Sequence, residues 1–371
     1  MSSRSLDPTD TPLTRVSTET RQTSTPRLLL LGAGGQVGHS LFRLCRSGQP
    51  PINVLGLTRD QAPLDKPDLF RTAVTQAIES FKPSHIVNAA AYTAVDQAEN
   101  EPELAHRVNG QALTQLSELA AQHSAQAPQP IAILHYSTDY VFDGRKPKGQ
   151  AYQPTDPVAP EGVYGKSKYA GEQALAQGPS PSLVLRTSWV FSDHGKNFVK
   201  TMLRLGQSQQ ELRVVADQWG APTSADAIAR ASLAIVQQWP TGPANTIEHK
   251  VFHLCCEGTT NWHDFACEIL HRARQLAPDL PWTITSAEQV KAITSAEFAA
   301  PAPRPANSQL DCSLTDVQFG LRRPHWSKAL EKVLVTLLTD SLGSTQKRLP
   351  QVSLLRPLFL GSIYSMGPEL F

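Results

Sequence analysis

Short unbroken apolar runs alternate with amphipathic stretches through the first half of the chain. Leu28-Leu29-Leu30-Leu31, Ile52-Asn53-Val54-Leu55-Gly56-Leu57, Ser84-His85-Ile86-Val87-Asn88-Ala89-Ala90-Ala91 and Ile131-Ala132-Ile133-Leu134-His135-Tyr136 each have the length of a buried strand. Between them the apolar positions recur with helical spacing, through Leu41, Leu44 and Cys45 and again near 68–81. This alternation predicts an α/β fold with a parallel, doubly wound sheet. A late strand at Phe252-His253-Leu254 is expected to return to the sheet. A helix is expected through Trp262, Phe265, Ile269 and Leu270, with His263 facing solvent.

The first apolar run leads straight into Gly32-Ala33-Gly34-Gly35-Gln36-Val37-Gly38. Glycines at 32, 35 and 38 permit a tight turn, a close approach of backbone amides to a pyrophosphate, and tight helix-on-strand packing. The pattern makes the sheet Rossmann-type and the ligand a dinucleotide. About 20 residues beyond, where a carboxylate would hold a ribose hydroxyl, the chain has Thr58 and Arg59, with Asp60 adjacent. A guanidinium suits a 2'-phosphate, so NADPH is expected ahead of NADH.

Tyr164 and Lys168 lie four positions apart, on one face of a helix. A fixed positive charge beside a phenol favours the phenolate and is expected to bring Tyr164 toward the range useful for acid-base chemistry. Thr138 ends the strand beginning at Ile131, at the sheet edge where ligands of open α/β folds sit. Together these residues suit hydride transfer between a carbonyl and an alcohol. Thr138 would polarise the carbonyl, Tyr164 would supply the proton, and Lys168 would hold the ribose and tune the phenol.

The motifs Gly32-x-x-Gly35-Gln36-Val37-Gly38, Asn88-Ala89-Ala90-Ala91-Tyr92-Thr93-Ala94-Val95-Asp96, Ser137-Thr138-Asp139-Tyr140-Val141-Phe142, Arg186-Thr187-Ser188-Trp189-Val190-Phe191 and Asp217-Gln218-x-Gly220-Ala221-Pro222-Thr223 occur in one order. With Gly258-Thr259-Thr260-Asn261-Trp262-His263 and Arg304-Pro305-x-Asn307-Ser308-x-Leu310, they resemble the dTDP-4-dehydrorhamnose reductase family of extended short-chain dehydrogenases/reductases from about Arg27 to about Leu338. The resemblance implies reduction of the C4 keto group of dTDP-4-dehydro-L-rhamnose to dTDP-L-rhamnose, an activated sugar for cell-surface polysaccharide. It implies Thr138, Tyr164 and Lys168 as the catalytic set. Gly32, Gly35, Gln36, Val37, Gly38, Thr58, Arg59, Asp65, Ala89, Ala91, Tyr92 and Thr93 would line the cofactor. Thr138, Asp139, Tyr140 and Trp189 would meet the substrate, and Arg304 the nucleotide pyrophosphate.

Related sugar-nucleotide dehydratases need a carboxylic acid where this chain has Tyr140, which favours simple reduction. Reduction of another 4-keto sugar nucleotide stays open. So does a non-catalytic, NADP-binding role like that of a regulatory subunit of methionine adenosyltransferase, against which the intact Thr138, Tyr164 and Lys168 argue. Ser40 stands where some family members carry a glutamate of a magnesium-bridged dimer, so no metal site is expected, while a homodimer remains open.

The expected layout is a tail over 1–26, a cofactor domain over 27–185 with a returning segment about 213–255, a smaller mixed α/β substrate lobe from 186–212 and 256–340, and an extension over 341–371. The tail is rich in Ser, Thr and Pro and reads as disordered, its Asp7, Asp10 and Glu19 arguing against a transit peptide. In the extension, Ser353–Leu360 is apolar but broken by Arg356 and Pro357, too short to span a bilayer, and is expected to fold back or to join subunits. A formal charge of +1 gives no electrostatic case for nucleic acid. The 5 cysteines lack metal-site spacing and read as reduced thiols of a cytoplasmic protein.

Overall fold

The computed structural model describes residues 25–48, 51–124, 130–239 and 250–346. The expectations for the tail up to residue 24 and for the extension beyond 346 lie outside the described residues. Six parallel strands form the central sheet, in the order Lys250–His253, β5 (Ser182–Thr187), β4 (Ala132–Thr138), β3 (His85–Asn88), β1 (Arg27–Leu31) and β2 (Asn53–Leu57).

Leu28 to Leu31 have no solvent exposure, because β1 is covered on both faces. Leu28 and Leu30 pack with Leu41 and Cys45 of helix α1 (Gln36–Ser47) and with the helix Ala225–Gln238. Leu29 and Leu31 pack with Phe70 and Val74 of helix α2 (Pro67–Phe81) and with Leu113 and Leu116 of the helix Ala112–Ser124. From β1 the chain steps outward to β2 and then crosses back to β3, so the direction of winding reverses between β1 and β3. Open α/β sheets bind ligands in the crevice at that reversal, beyond the carboxyl ends of the strands.

A second core of Phe191, Val199, Met202, Phe265, Ile269, Ile284, Leu330 and Leu334 forms the smaller lobe around the helices Phe198–Gly206, Trp262–Leu276 and Trp326–Gln346. Leu212 and Val214 belong to this core, and their strand Leu212–Val215 pairs with Val290–Ile293. The return to the sheet half expected from residue 213 therefore begins later, at Ala225, where the next helix packs Ile228 and Ala229 against β1 and β4.

His263, expected to face solvent, is partly exposed and partly engaged by the lobe. Its Nε2 lies 2.9 Å from the Val290 carbonyl and its Nδ1 3.0 Å from Asp264, pinning the helix to the lobe strand. The five cysteines are free.

Candidate active site

Two loops meet at the reversal of the sheet. Gly32 adopts φ +76°, and a Cβ there would lie 2.6 Å from the Ala90 nitrogen, so the glycine lets the loop after β1 touch the loop after β3. A Cβ on Gly38 would lie 2.1 Å from the Gly32 carbonyl oxygen, which is the close helix-on-turn contact the motif requires. Helix α1 starts after Gly35, whose conformation is extended and which offers no side chain to cap the helix. Backbone amides at this end are thus left to an outside acceptor, and the positive end of the helix dipole favours an anion.

Gly34 and Gly35 are exposed, and a Cβ on Gly34 would meet nothing nearer than the Thr58 methyl at 3.9 Å. Thr58 and Arg59 are exposed beyond β2, where a 2'-phosphate could reach them. The residues present fit a dinucleotide. Asp65 sits in the turn before α2.

The smaller lobe reaches across to the same loop through residues that the sequence motifs did not single out. Gln36 Oε1 accepts from Ser192 Oγ at 2.9 Å and from Asn197 Nδ2 at 3.0 Å. The His194 ring lies 2.9 Å from the Gly34 carbonyl and stacks on His39 with centroids 4.0 Å apart. Asn109 was missed as well. It lies in the π-turn Arg107–Gln111, accepts from Tyr92 N at 2.9 Å, and donates to Tyr92 O at 3.0 Å and to Ser167 Oγ at 2.9 Å. One side chain thereby ties the loop after β3 to the helix Val163–Gln177 that carries Tyr164 and Lys168. A single-turn π-bulge is often a functional device, but no residue pattern announced this one.

The catalytic candidates converge at the end of β4. The Thr138 hydroxyl accepts from Tyr140 N at 3.2 Å, donates to Asp139 Oδ1 at 3.0 Å, and is close enough to the Tyr164 phenol to influence its ionisation. Burial pushes the Tyr164 phenol above its ordinary pKa, with the Thr138 hydroxyl opposing the shift. This is opposite to the direction expected from a neighbouring ammonium. The reason is local: Lys168 Nζ is turned inward, donating to the Tyr136 carbonyl at 2.7 Å and lying 3.1 Å from His135 Nε2. Burial in turn lowers Lys168 to about 7, against the raising influence of Glu172, which is committed to Arg186 at 2.9 and 2.6 Å. Asp139, also enclosed, is raised by burial to about 6, with the hydroxyls of Ser308 and Thr138 pulling it back.

The residues expected at the substrate surround this centre unequally. Tyr140 meets Tyr164 edge to face, with centroids 5.5 Å apart, and Arg304 Nη1 lies 3.4 Å from its hydroxyl. Arg304 is also paired with Asp96 at 2.8 Å, so it stands beside the site with its charge partly engaged. Trp189 holds φ +48° and stacks on Trp262 with centroids 3.7 Å apart, and Gly220 packs against the same indole. Ala89 and Ala91 line the loop after β3, Tyr92 is anchored there by its hydroxyl on Glu101 at 2.7 Å, and Thr93 is exposed. Val37 packs against the sheet core below the glycine loop. Ser40 is buried in α1, and the described residues contain no group of three or more His, Cys, Asp or Glu side chains placed to hold a metal.

Residues 26–339 match the family described as the RmlD substrate binding domain. The chain is 41% identical over 309 residues to a dTDP-4-dehydrorhamnose reductase of Aggregatibacter actinomycetemcomitans, covering 83% of this chain and 98% of that one. It is 36% identical to the dTDP-4-dehydrorhamnose reductase of Salmonella typhimurium, over 85% of this chain and 99% of the relative. A crystal structure of dTDP-4-dehydrorhamnose reductase from Bacillus anthracis in complex with NADP superposes with a TM-score of 0.72 at 28% identity, covering 84% of this chain and all of that one.

Proposed function

The chain belongs to the dTDP-4-dehydrorhamnose reductase family, and from that membership and the geometry above we infer that it is an NADPH-dependent oxidoreductase that reduces the C4 keto group of dTDP-4-dehydro-L-rhamnose to give dTDP-L-rhamnose. One observation carries the catalytic assignment. The Thr138 hydroxyl, the Tyr164 phenol and Lys168 lie about the carboxyl end of β4, on the same edge of the sheet as the glycine loop that follows β1.

When bound, NADPH supplies the hydride. Gly35, Gln36, Val37 and the start of α1 would hold its pyrophosphate through backbone amides, and Arg59 would meet its 2'-phosphate. Thr138 donates to the ketone oxygen, so its present hydrogen bond to Asp139 must yield to the substrate. Tyr164, kept protonated by burial, is a proton donor for the alkoxide that forms as the carbonyl is reduced. Its raised proton affinity makes it a weaker acid until a cation stands beside it, but an alkoxide is a stronger base still. Lys168 holds the ribose hydroxyls and, as an ammonium, stabilises the phenolate left behind. Trp189 and Tyr140 would meet the sugar and base.

The test follows the loss of NADPH absorbance with dTDP-4-dehydro-L-rhamnose and with a panel of other 4-keto sugar nucleotides. Tyr164→Phe should lower kcat by about 100-fold or more with little change in dinucleotide affinity. Full turnover by that variant would remove Tyr164 from the reaction.

A further inference from the structure

Lys168 ends a chain of hydrogen bonds whose directions can be followed from the backbone. The Ala90 amide can only donate, and it lies 3.1 Å from Asn88 Oδ1. That fixes the Asn88 side chain, so its NH2 group points at His135 Nδ1, 3.1 Å away. A ring nitrogen that accepts carries no hydrogen, so neutral His135 bears its hydrogen on Nε2. Nε2 in turn lies 3.1 Å from Lys168 Nζ. An ammonium has three donors and no acceptor, whereas a neutral amine has a lone pair to receive Nε2–H while it donates to the Tyr136 carbonyl. Asn88, His135 and Lys168 are 1%, 0% and 2% exposed, so solvent is not at hand to relieve a donor facing a donor.

We propose that Asn88 and His135 are positioning residues that hold Lys168 as a neutral amine in the free protein, so that Lys168 takes up a proton when the dinucleotide binds. This rests on the reading of Lys168 as a ribose-holding residue. The other groups facing Lys168 leave room for that state. Glu172, one turn further along its own helix, is neutralised by Arg186 of β5, and Tyr164, one turn back, is kept protonated. Asp139 lies at the end of β4, while Asn109 and Ser167 are neutral. Burial lowers Lys168, and burial together with a charge on Lys168 lowers His135 against the raising influence of the Asn88 backbone, so an ammonium and an imidazolium do not coexist here.

The arrangement has a consequence for the catalytic cycle. Protonation deprives Nε2–H of its acceptor, so the ammonium is released from His135 toward the hydroxyl oxygens that a dinucleotide brings. The charge that supports Tyr164 is then assembled only in the loaded enzyme, and the free site avoids holding a dry cation.

Two measurements test this. In the unliganded protein labelled with 15N-histidine, the His135 signal, identified by its loss in His135→Gln, should be that of the neutral Nε2–H tautomer near pH 8. A neutral Nδ1–H tautomer or an imidazolium would overturn the proposal. Calorimetry of NADPH binding at pH 8 in buffers of different ionisation enthalpy should show uptake approaching about 0.9 of a proton by wild type. Asn88→Asp replaces the amide donor with an acceptor, which moves the ring hydrogen to Nδ1 and lets Nε2 accept from an ammonium already present. Uptake should fall to about a fifth or less in that variant; undiminished uptake would overturn the proposal. Failure of NADPH to bind the wild type would strike the functional reading instead, and the tautomer, read without ligand, would still decide this one.

Discussion

Replacing Lys168 by Met should change the pH dependence of stability in a direction set by its burial. Lys168 is 2% exposed and has a folded pKa of about 7, depressed first by burial. In the unfolded chain the same group titrates near ~10.4. Between these values the unfolded state binds more protons than the folded one, so stability rises with pH. From pH 7 to pH 9 the gain from this group is about 2 kcal/mol, and below pH 7 its penalty is nearly complete. Cys45 and Cys256, both raised by burial to about 11, oppose the trend at alkaline pH. Wild type and Lys168→Met share those cysteines, so the difference between them isolates the lysine. Urea unfolding of both proteins without NADPH, at intervals from pH 6 to pH 9, supplies the data. Lys168→Met should be the more stable at pH 6, with the gap closing by about 2 kcal/mol between pH 7 and pH 9. A gap that stays constant across that range would mean that Lys168 is not desolvated in the folded protein, and the account of its inward turn would fall with it.

Three further outcomes follow from contacts elsewhere in the site. Gly38→Ala would place a methyl 2.1 Å from the Gly32 carbonyl oxygen; it should cost about 3 kcal/mol and weaken NADPH binding by about 10-fold or more, read by thermal melting and by fluorescence titration. Glu172→Gln leaves the 3%-exposed Arg186 without its countercharge while keeping one acceptor, so it should destabilise by about 2–3 kcal/mol in urea unfolding, and a loss under about 0.5 kcal/mol would contradict it. Arg59→Ala, at an exposed position beyond β2, should weaken NADPH more than NADH in competition titrations; equal losses would remove Arg59 from cofactor selection.

How far the sequence could be read depended on whether a property was carried by neighbours along the chain or by distant segments. The apolar runs at Leu28–Leu31 and Ile131–Tyr136 announced β1 and β4 because a strand covered on both faces needs side chains of one kind throughout. The glycine spacing announced the β1–α1 turn because a Cβ at Gly32 or Gly38 would fall 2.6 or 2.1 Å from a backbone atom. Tyr164 and Lys168 were visible as a pair because helix geometry places such positions on one face, but helix geometry does not say where Nζ points.

That depends on His135 and Asn88, which lie in two other strands and look from their own neighbours like polar interruptions of apolar runs. The same limit hid Asn109, whose partners Tyr92 and Ser167 are 17 and 58 residues away, and the contact of His263 with Val290, 27 residues away. A buried polar side chain must be paired, and its partner is chosen by the sheet order rather than by the local pattern. In this molecule the sheet brings β3 next to β4, and that adjacency turns an asparagine and a histidine 47 residues apart into a support for the lysine. The charge state of Lys168 is thus set by the order in which the strands are laid down, and a change on β3 such as Asn88→Asp can alter it without touching a residue of the catalytic helix.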